Sequence, residues 1–499
     1  MKKTVIISNT VNADIHFLRK YDSVNILRGL NLIIINDRKR ARQIAGFLKY
    51  QDHFDLFIVS NHRRVLSDIH QTFPYVRLVY EPKKMIFDVQ KLINELFAAH
   101  SFTILLNQNF ANQDIIRQFH ARGVKVIIRA ENQLEVARAT LAGADGILGI
   151  DIERFSVDAD ITTLPFLISH RGVHEEAVEN TIESGLIAYE KGCDFIEMDV
   201  HTSLDRHVIV NHDNALGRTF DRDFVIKRNR LKELKVARQV KNKEVLEGTI
   251  STLPEFNQAI PSDIGFIVET KVDSKRDIKR IAKCLNQTSR NVMVMSFYPY
   301  ALVRLDKYAK RFMNGFLIDL SDKKISLNHL LRVIHRYRLI VHPYYLHNRQ
   351  DIEADLKKRM IGYSPWGLSE DATYQALYKD HDMINSNYVH RMAHLPKQLK
   401  ISHTITYPMG EFMKLNLTDE KNNPLSYKIH VLFDNPLELS TENDAIIKAG
   451  KVGETYIYLT HTTTFNDNPL TYASDLIKVV VEDKHKYLEE DKYVSTPTI

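Results

Sequence analysis

The stretch from residue 166 to residue 213, FLISHRGVHEEAVENTIESGLIAYEKGCDFIEMDVHTSLDRHVIVNHD, decides the fold of this chain. Three short apolar runs, FLIS, DFIEMDV and HVIVNHD, each lead into polar or ionisable residues. Between the first two runs, Ile182, Leu186 and Tyr189 recur at the spacing of a helix, and Gly192 is a typical helix stop. The pattern predicts a strand–helix–strand unit of a parallel sheet or barrel, in which the active site lies at the carboxyl ends of the strands.

Acidic residues on the predicted strands indicate a metal site. Glu197 and Asp199 are two residues apart on one strand and therefore share a face, where two carboxylates can bind a hard cation such as Mg²⁺ or Ca²⁺. A later run, GFIVETK, adds Glu269 and Lys271, again on one face of a strand. We expect these groups to meet at one end of the barrel.

Basic residues end the neighbouring runs. His170 and His212 supply two imidazoles that can exchange a proton near neutral pH. Arg171 offers a planar guanidinium suited to a phosphate. Three carboxylates, two histidines and two permanent cations at one end of a barrel are suited to metal-assisted cleavage of a phosphodiester.

This set resembles the glycerophosphodiester phosphodiesterase family, which uses a divalent-metal barrel. The family pattern His-Arg, Glu-x-Asp and His-Asp stands here as His170-Arg171, Glu197-Met198-Asp199 and His212-Asp213. Further pieces follow in the family's order: Glu179-Asn180-Thr181, Leu216-Gly217-Arg218-Thr219, Ser251-Thr252-Leu253-Pro254-Glu255, Glu269-Thr270-Lys271, Ser296-Phe297 and Trp366. The resemblance covers roughly Leu164 to Val389.

The resemblance implies a (β/α)8 TIM barrel over residues 164–392 that hydrolyses a glycerophosphodiester to glycerol phosphate and an alcohol, within lipid and glycerol metabolism. It implies one divalent cation, Mg²⁺ or Ca²⁺, and a role for each site residue: Glu197, Asp199 and Glu269 as metal ligands, Arg171 and Lys271 as phosphate contacts, Trp366 as an aromatic wall for the glycerol moiety, and His170 and His212 as acid and base. Which histidine is the acid stays open.

The sequence departs from the family on the alcohol side. A Trp-Thr-Val-Asn run becomes Trp366-Gly367-Leu368-Ser369, the closing Thr-Asp becomes Ser386-Asn387, and the Gly expected after Asp205 is Arg206. The metal and histidine residues are unaffected, so these changes leave the identity of the alcohol open.

Length and composition set the context for this barrel. A chain of 499 residues predicts two to four domains. A net charge of +6 fits an anionic small-molecule substrate but not nucleic acid, because no basic run is interleaved with aromatic residues. Two cysteines fit a reducing compartment. The first apolar run, of about four residues, is too short for a signal peptide, and no run approaches the ~20 residues of a membrane span. We expect a cytoplasmic protein of open oligomeric state.

Residues 1–160 predict a second α/β domain, because short β-rich runs alternate with helical patterns. Residues 112–150 also align without gaps over residues 349–387, which places Asp145 on Asp382. One interpretation is a decayed copy of the barrel, and the other is two unrelated βα units that share a period. No His-Arg, Glu-x-Asp or His-Asp set occurs there, so we expect a non-catalytic domain.

Residues 395–499 predict a small β-sandwich, because strand-like runs are separated by turn clusters such as EKNNP and FNDNP. Its histidines, His403, His430 and His461, lack metal-ligand spacing and are expected to be ordinary strand residues. A binding or docking module is the expected role.

Three alternatives remain at this point. The site residues could form a satisfied polar network in a core, although burying so many ionisable groups without a ligand is costly. The chain could be a non-catalytic protein that binds a phosphodiester polymer such as a glycerol-phosphate teichoic acid, or a phosphodiesterase that acts on such polymers or on lysophospholipids.

The role of the basic segment 214–250 is also open. It could attract an anionic headgroup or could simply be a solvated surface.

Overall fold

The structure is a computed structural model that describes residues 5–7, 9–12, 31–39, 41–42, 44, 56–84, 88–149, 161–309, 312–322, 325–379, 381–442 and 446–484. Along these residues, two parallel α/β sheets are followed by a region built of strands. None of the helices within the described ranges is long and apolar enough to span a bilayer.

The N-terminal sheet has eight strand segments, all parallel. They are β1 (Val5–Ile7), β2 (Asn9–Asn12), β3 (Asn31–Ile34), β4 (Leu56–Ser60), β5 (Arg77–Tyr80), β6 (Thr103–Leu106), β7 (Lys125–Arg129) and β8 (Gly146–Leu148). Its helices are α1 (Arg63–Thr72), α2 (Val89–Ala98), α3 (Gln113–His120) and α4 (Gln133–Leu141). Because β1 pairs with β8 while β2 pairs with β3, the first stretch of chain contacts both edges of the sheet.

The middle region is a second parallel α/β sheet, as predicted. The strands of this region are β9 (Phe166–Ser169), β10 (Phe195–Thr202), β11 (Val208–Val210), β12 (Arg238–Lys241), β13 (Glu244–Thr249), β14 (Ser251–Thr252), β15 (Gly265–Thr270), β16 (Val292–Ser296), β17 (Met313–Ile318), β18 (Leu339–Pro343) and β19 (Met383–Ser386). Strands β12 and β13 form a separate antiparallel hairpin, and the other nine form the sheet. Its helices are α5 (Ile182–Glu190), α6 (Leu231–Leu234), α7 (Leu253–Ala259), α8 (Lys275–Leu285), α9 (Pro299–Asp306), α10 (Leu327–Tyr337), α11 (Gln350–Lys358) and α12 (Glu370–Ala376).

The pairing of this sheet runs in a ring. Strands β19, β9, β10, β15, β16, β17 and β18 pair in parallel in that order. Between β18 and β19, single parallel bridges join Val341 to Tyr363 and Trp366 to Asn385. The β-like run IGYSPWG (361–367) therefore contributes isolated bridges rather than a regular strand. The carboxyl ends of the ring strands lie together at one edge.

The helix boundaries follow the local sequence signals. Helix α5 begins after Thr181, whose side chain accepts a hydrogen bond from Ser184 N, and the chain leaves it at Gly192, whose φ is +88°. Helix α7 begins after Thr252, which forms a reciprocal capping box with Glu255. Both helix starts agree with the sequence prediction.

One strand runs against the others. Strand β11 is antiparallel to β10, with Val210 opposite Val200. Because β10 is longer than its neighbours, the chain turns beyond its end and returns along it, and Asn211 N donates to Asp199 O. His212 therefore reaches the carboxyl-terminal edge from a hairpin and not from a parallel strand.

The two α/β sheets contact each other at the amino ends of their strands. Arg77, the first residue of β5, is buried and donates hydrogen bonds to Arg359 O and Met360 O of the middle region. Lys125, the first residue of β7, forms ion pairs with Asp145 at 3.0 Å and with Asp382 at 2.6 Å. The carboxyl-terminal edges of the two sheets consequently face away from each other.

The aligned stretches 112–150 and 349–387 carry the same elements at one offset. Helix α3 corresponds to α11, α4 to α12 and β8 to β19, while β7 corresponds to residues 362–366 of the bridged segment. Lys125 binds both members of the aligned pair Asp145 and Asp382.

The C-terminal region is β-rich and has no helix between residues 399 and 482 among the described residues. Its strands are β20 (Leu399–Lys400), β21 (Thr404–Pro408), β22 (Phe412–Lys414), β23 (Thr418–Asp419), β24 (Lys428–Val431), β25 (Ser440–Glu442), β26 (Ile446–Lys448), β27 (Gly453–Phe465), β28 (Asn468–Ala473) and β29 (Ile477–Glu482). They form a five-stranded, a three-stranded and a two-stranded sheet. Asp475 accepts hydrogen bonds from Gln113 N and Asn112 Nδ2, which ties this region to α3.

Candidate active site

Three carboxylates converge at the carboxyl-terminal edge of the middle sheet. Glu197 and Asp199 lie on one face of β10, and the strand register places Glu269 of β15 directly beside Asp199. One oxygen from each carboxylate lies within 4.8 Å of the others. The exposed fractions of the three residues are 1%, 0% and 7%. We call these three residues the acidic cluster.

Burial and mutual repulsion shift the pKa values of the acidic cluster. Burial raises the pKa of Glu197 well above its usual value, and the neighbouring Asp199 and Glu269 add to the rise. Burial, reinforced by Asp199, raises the pKa of Glu269 to about 7. Burial also opposes ionisation of Asp199, but Lys271 and Arg171 outweigh it and lower the pKa of Asp199 to about 2. Ionising all three carboxylates together is therefore unfavourable in the absence of a cation, and a bound cation would relieve the repulsion.

The donor set of the acidic cluster fits a hard divalent cation. All three groups offer carboxylate oxygens, which Mg²⁺ and Ca²⁺ prefer. Glu197 Oε1 is buried and has no hydrogen-bond partner among the residues that the structure describes. A buried carboxylate oxygen without a partner is costly, and coordination of a cation would satisfy it.

Two permanent cations flank the acidic cluster. Lys271 Nζ lies 3.0 Å from Asp199 Oδ1 and 2.5 Å from Glu269 Oε1. Arg171 Nε lies 3.1 Å from Asp199 Oδ2, and Arg171 N donates to Glu197 Oε2 at 3.1 Å. Both cations, predicted to contact phosphate, are thus held at the centre of the site.

The turn after β9 aims Arg171 at the cluster. Arg171 has a φ of +59° and the next residue, Gly172, a φ of +76°. A Cβ on Gly172 would lie 2.4 Å from Ser184 Oγ, so only glycine fits between this turn and α5. The left-handed pair reverses the chain and directs the guanidinium inward.

Asn180 is a site residue to which the sequence reasoning assigned no role. It is buried, its Nδ2 donates to Asp199 Oδ2 at 2.9 Å, and its Oδ1 accepts from Asp199 N at 3.1 Å. Its φ is +58°, a conformation that asparagine tolerates better than most residues. The motif Glu179-Asn180-Thr181 was the available signal, but the partner of Asn180 could not be inferred from it.

His170 faces the acidic cluster. Its Nδ1 lies 2.7 Å from Asn387 Oδ1 and donates to it, so Nε2 is left as the atom that can exchange a proton. Nε2 lies 3.9 Å from Glu197 Oε2. Burial, together with Arg171, lowers the pKa of His170 to about 4. Asn387, one of the departures from the family pattern, thus orients this ring.

His212 is oriented by a chain of ion pairs. Its Nδ1 lies 2.7 Å from Asp213 Oδ1 and donates to it, and Asp213 Oδ2 accepts from Arg218 Nε at 2.6 Å. Arg218 continues to Glu179, which also binds Arg171 at 3.0 Å. The site residues from two different loops are therefore linked through one carboxylate, Glu179.

Trp366 belongs to an aromatic group on the other side of the edge. Its ring centroid lies 4.7 Å from that of Tyr344 and 5.6 Å from that of Phe297, and its Nε1 donates to His342 O at 3.1 Å. Trp366 is half-buried and Phe297 is exposed. The group forms an aromatic surface, and the role of Trp366 as a wall for the glycerol moiety stays a prediction.

The basic segment after His212 contacts the loop that follows β9 and uses some of its cations in contacts within the domain. Lys241 Nζ donates to the carbonyl oxygens of His174, Glu175 and Ala177 in the loop that follows β9. Lys235 pairs with Glu255 at 2.9 Å. At these positions the cations stabilise loops instead of forming a free basic surface.

Comparisons with known proteins agree on one family. The model of the glycerophosphoryl diester phosphodiesterase family matches residues 170–393. A glycerophosphodiester phosphodiesterase of Caldanaerobacter subterraneus subsp. tengcongensis is 27% identical over 222 residues, which are 43% of this chain and 89% of the relative. The putative glycerophosphodiester phosphodiesterase YhdW of Bacillus subtilis is 38% identical over 69 residues, 14% of this chain and 28% of the relative.

Two solved structures align with a little under half of the chain. An Oleispira antarctica phosphodiesterase in complex with the product sn-glycerol-3-phosphate has a TM-score of 0.42 and 23% identity, and the alignment covers 46% of this chain and 95% of that one. A glycerophosphodiester phosphodiesterase of Thermotoga maritima has a TM-score of 0.39 and 25% identity, with 46% and 96% covered.

Proposed function

We propose that residues 170–393, which the model of the glycerophosphoryl diester phosphodiesterase family matches, are a phosphoric diester hydrolase domain of that family and that the chain hydrolyses a glycerophosphodiester to glycerol phosphate and an alcohol. The observation that carries the proposal is the acidic cluster, with two permanent cations beside it and His170 at its edge. This combination suits a substrate that carries a phosphate charge and needs a proton removed and another supplied.

In this proposal Glu197, Asp199 and Glu269 hold one divalent cation, Mg²⁺ or Ca²⁺. When bound, the cation supplies Lewis-acid stabilisation of the charge that develops on the phosphate. Arg171 and Lys271 bind the non-bridging phosphate oxygens, because both cations lie about 3 Å from the carboxylate of Asp199 and so stand beside the proposed cation. The side chain of Asn180 holds Asp199 in place, because its Nδ2 donates to the Asp199 carboxylate and its Oδ1 accepts from Asp199 N.

The two histidines carry the protons. His170 and His212 each donate Nδ1–H to an oxygen of a neighbouring side chain, which leaves Nε2 of each ring free to exchange a proton. One Nε2 takes the proton of the attacking hydroxyl, and the other gives a proton to the leaving alcohol. Trp366 and its aromatic neighbours bind the apolar face of the glycerol moiety.

The test is hydrolysis of a panel of glycerophosphodiesters, beginning with glycerophosphocholine, in Mg²⁺, in Ca²⁺ and in chelator. We expect release of glycerol phosphate that the chelator abolishes and added metal restores. Hydrolysis that persists at the parent rate in chelator would contradict the metal assignment, and absence of hydrolysis across the panel would contradict the proposed reaction.

A second readout tests the metal site without activity. Divalent metal at 100 times its Kd should stabilise the folded protein by about 2.7 kcal/mol, measured as a rise in the thermal midpoint. Glu197→Gln should remove this rise and should also stabilise the metal-free protein, because it removes one of three buried, mutually repelling carboxylates. A metal-dependent rise of the same size in Glu197→Gln would exclude Glu197 as a ligand.

The alternative is a protein that binds a phosphodiester polymer, such as a glycerol-phosphate teichoic acid, without cleaving it. The observation in its favour is the N-terminal sheet, whose exposed edge carries a cavity lined by six Lys and Arg residues and one Glu. The same assay decides between the two: a binding protein retains the polymer and releases no glycerol phosphate.

We also propose that the chain comprises three domains, 1–160, 164–392 and 395–499, and that the first is a non-catalytic barrel that arose by duplication of the second. The shared order of elements in residues 112–150 and 349–387 supports the duplication. The five-stranded and three-stranded sheets support a β-sandwich that docks onto the other two. Two cysteines without a disulfide support a cytoplasmic location, which cell fractionation would test.

A further inference from the structure

We propose that the carboxyl-terminal edge of the N-terminal sheet is a second, non-catalytic binding site, for an anion that carries two or more phosphate groups. The site is a cavity of about 720 Å³, within the range of small-molecule sites. Six cationic side chains line it, and we call them the basic rim: Arg38, Arg63, Arg64, Lys83, Lys84 and Lys91.

The position of the cavity follows from the topology. Asn36 follows β3, Asn61 follows β4, and Lys83 and Lys84 follow β5, so the cavity lies where three adjacent parallel strands end. In parallel α/β proteins this edge is the usual place for a ligand. The edge faces away from the middle domain, so the middle sheet does not cover it.

The charge of the basic rim is poorly balanced by the protein itself. Arg38 pairs with Asp68 at 2.7 Å, and the one acidic residue in the cavity lining, Glu95, accepts from the hydroxyl of Tyr80. Within the described parts of the chain, no carboxylate lies within ion-pair distance of the other five cations. Like charges gathered in this way repel one another, and a multivalent anion removes that cost.

Helix α1 adds a second anion-binding element. It begins at the cavity with Arg63 and Arg64, and its first turn contains no acidic residue. The N-cap residue, His62, makes no capping hydrogen bond with its side chain. Cations in the first turn of a helix oppose the helix dipole, whereas an anion bound there would be favoured by the dipole and by the free N–H groups.

A hydrogen-bonded turn shapes the cavity beside this helix. Asn36 Oδ1 accepts from Asn61 N at 3.0 Å and from Ser60 Oγ at 3.2 Å, and His62 N donates to Ser60 Oγ at 3.1 Å. Asn61 Oδ1 is buried without a hydrogen-bond partner among the described residues. The turn orients α1 and leaves a polar group for a ligand that carries hydroxyls as well as charge.

The chemistry of the lining selects phosphates. Arginine forks bind phosphate through two parallel hydrogen bonds and lysines bind it as point charges. Five cations that have no carboxylate partner among the described residues exceed the charge of one phosphate monoester, so two or more phosphates match the site better. A single-stranded nucleic acid is disfavoured, because the one Phe, Tyr or Trp residue in the lining, Tyr80, is buried and cannot stack on a base.

The test is calorimetric titration of the metal-free full-length protein with tripolyphosphate, inorganic phosphate and sulfate. We expect tripolyphosphate to bind at least about tenfold more tightly than either monomeric anion. Arg63→Gln/Arg64→Gln and Lys83→Gln/Lys84→Gln should each weaken tripolyphosphate binding at least about tenfold. Hydrolysis of glycerophosphocholine should stay at the parent rate in both variants, so the outcome does not depend on the proposed reaction.

The chain offers a matched control in Lys275→Gln/Arg276→Gln. These residues also occupy the first turn of a helix, α8, but that helix is capped by Ser274 and has Asp277 in its first turn. The control should bind tripolyphosphate like the parent. Equal weakening in the control and in Arg63→Gln/Arg64→Gln, or no weakening in either, would overturn the proposal.

Two further ligands distinguish the source of the phosphates. A short glycerol-phosphate oligomer that competes with tripolyphosphate would indicate a phosphodiester polymer, and competition by small polyphosphates alone would indicate a soluble metabolite. A single-stranded oligonucleotide that binds as tightly as tripolyphosphate would show an unselective polyanion surface and would also overturn the proposal.

Discussion

The two α/β sheets of this chain present the same edge with opposite chemistry. At the edge of the middle sheet, three buried carboxylates have oxygens within 4.8 Å of one another, and two cations form ion pairs with them. At the edge of the N-terminal sheet, amides end the strands and exposed cations surround a cavity. The fold therefore determines where a site lies, whereas the few residues at the strand ends determine what the site can bind.

Burial explains why only one edge is suited to catalysis. The acidic cluster is almost fully enclosed, so its charges interact strongly and can be held in one geometry. The basic rim is exposed, so water screens its charges and its long side chains stay adaptable. An exposed cationic rim can attract and hold an anion, but it cannot position a cation and two proton carriers around a bond.

The largest effect should come from removing a proton carrier at the middle edge. His170→Ala and His212→Ala should each lower turnover by about 10²–10⁴-fold, because the ring that exchanges a proton is lost while folding is intact. Steady-state hydrolysis of glycerophosphocholine and a circular dichroism melt measure the two quantities. His329→Ala, an exposed histidine on α10, should behave like the parent. Parent-like turnover in His170→Ala or His212→Ala would show that the role assigned to that residue is wrong.

The next effect concerns Arg77, which joins the two sheets at the amino ends of their strands. Arg77→Met should lower the free energy of unfolding by about 3 kcal/mol, because two buried carbonyl oxygens of the middle domain lose their donor. Urea denaturation measures the change. Exposed Arg222→Met should stay within about 0.5 kcal/mol of the parent. If both variants unfold at the same urea concentration, the packing of the sheets through Arg77 contributes nothing measurable.

A smaller effect should follow from loosening one carboxylate. Asn180→Ala should lower kcat about 10–100-fold, because Asp199 loses both its amide donor and the acceptor of its backbone N–H. The half-saturating concentration of divalent metal should rise in parallel, a change that a general loss of stability would not produce. Asn328→Ala, on the exposed face of α10, serves as the control. An unchanged metal requirement in Asn180→Ala would rule out positioning of Asp199.

The smallest effect should come from the basic segment over the middle edge. Lys241→Ala should lower kcat/KM less than about tenfold, because three carbonyl groups of the loop after β9 lose a shared donor while the site residues remain. Lys243→Ala, two residues on and exposed, should be neutral. A loss as large as that of His170→Ala would place Lys241 in the reaction itself, contrary to the structure.

Sequence reasoning found the acidic cluster because strand geometry is periodic. Glu197 and Asp199 are two residues apart, so a strand places them on one face. It could not show that Asp199 lies directly beside Glu269, because that depends on the register between β10 and β15. The route of His212 was also hidden, since nothing local shows that β11 returns antiparallel along β10.

The basic rim shows the opposite limit of sequence reasoning. Arg63, Arg64, Lys83 and Lys84 stand in two separate basic pairs that are typical of a solvated surface. Only the pairing of β4 with β5 brings the two pairs to one cavity. The same holds for Arg77, whose acceptors lie more than 280 residues away in the chain.

The sequence determined most of the helices and strands of the middle sheet and the kinds of side chain that end those strands, because these depend on neighbours a few residues away. Tertiary structure alone decided which of those side chains meet, because hydrogen-bond register, sheet order and the packing of the two sheets join residues that are far apart in the chain. The sign of the charge then determines the ligand. Carboxylates held together in a buried space favour binding of a cation, and cations held together on an open edge favour binding of an anion.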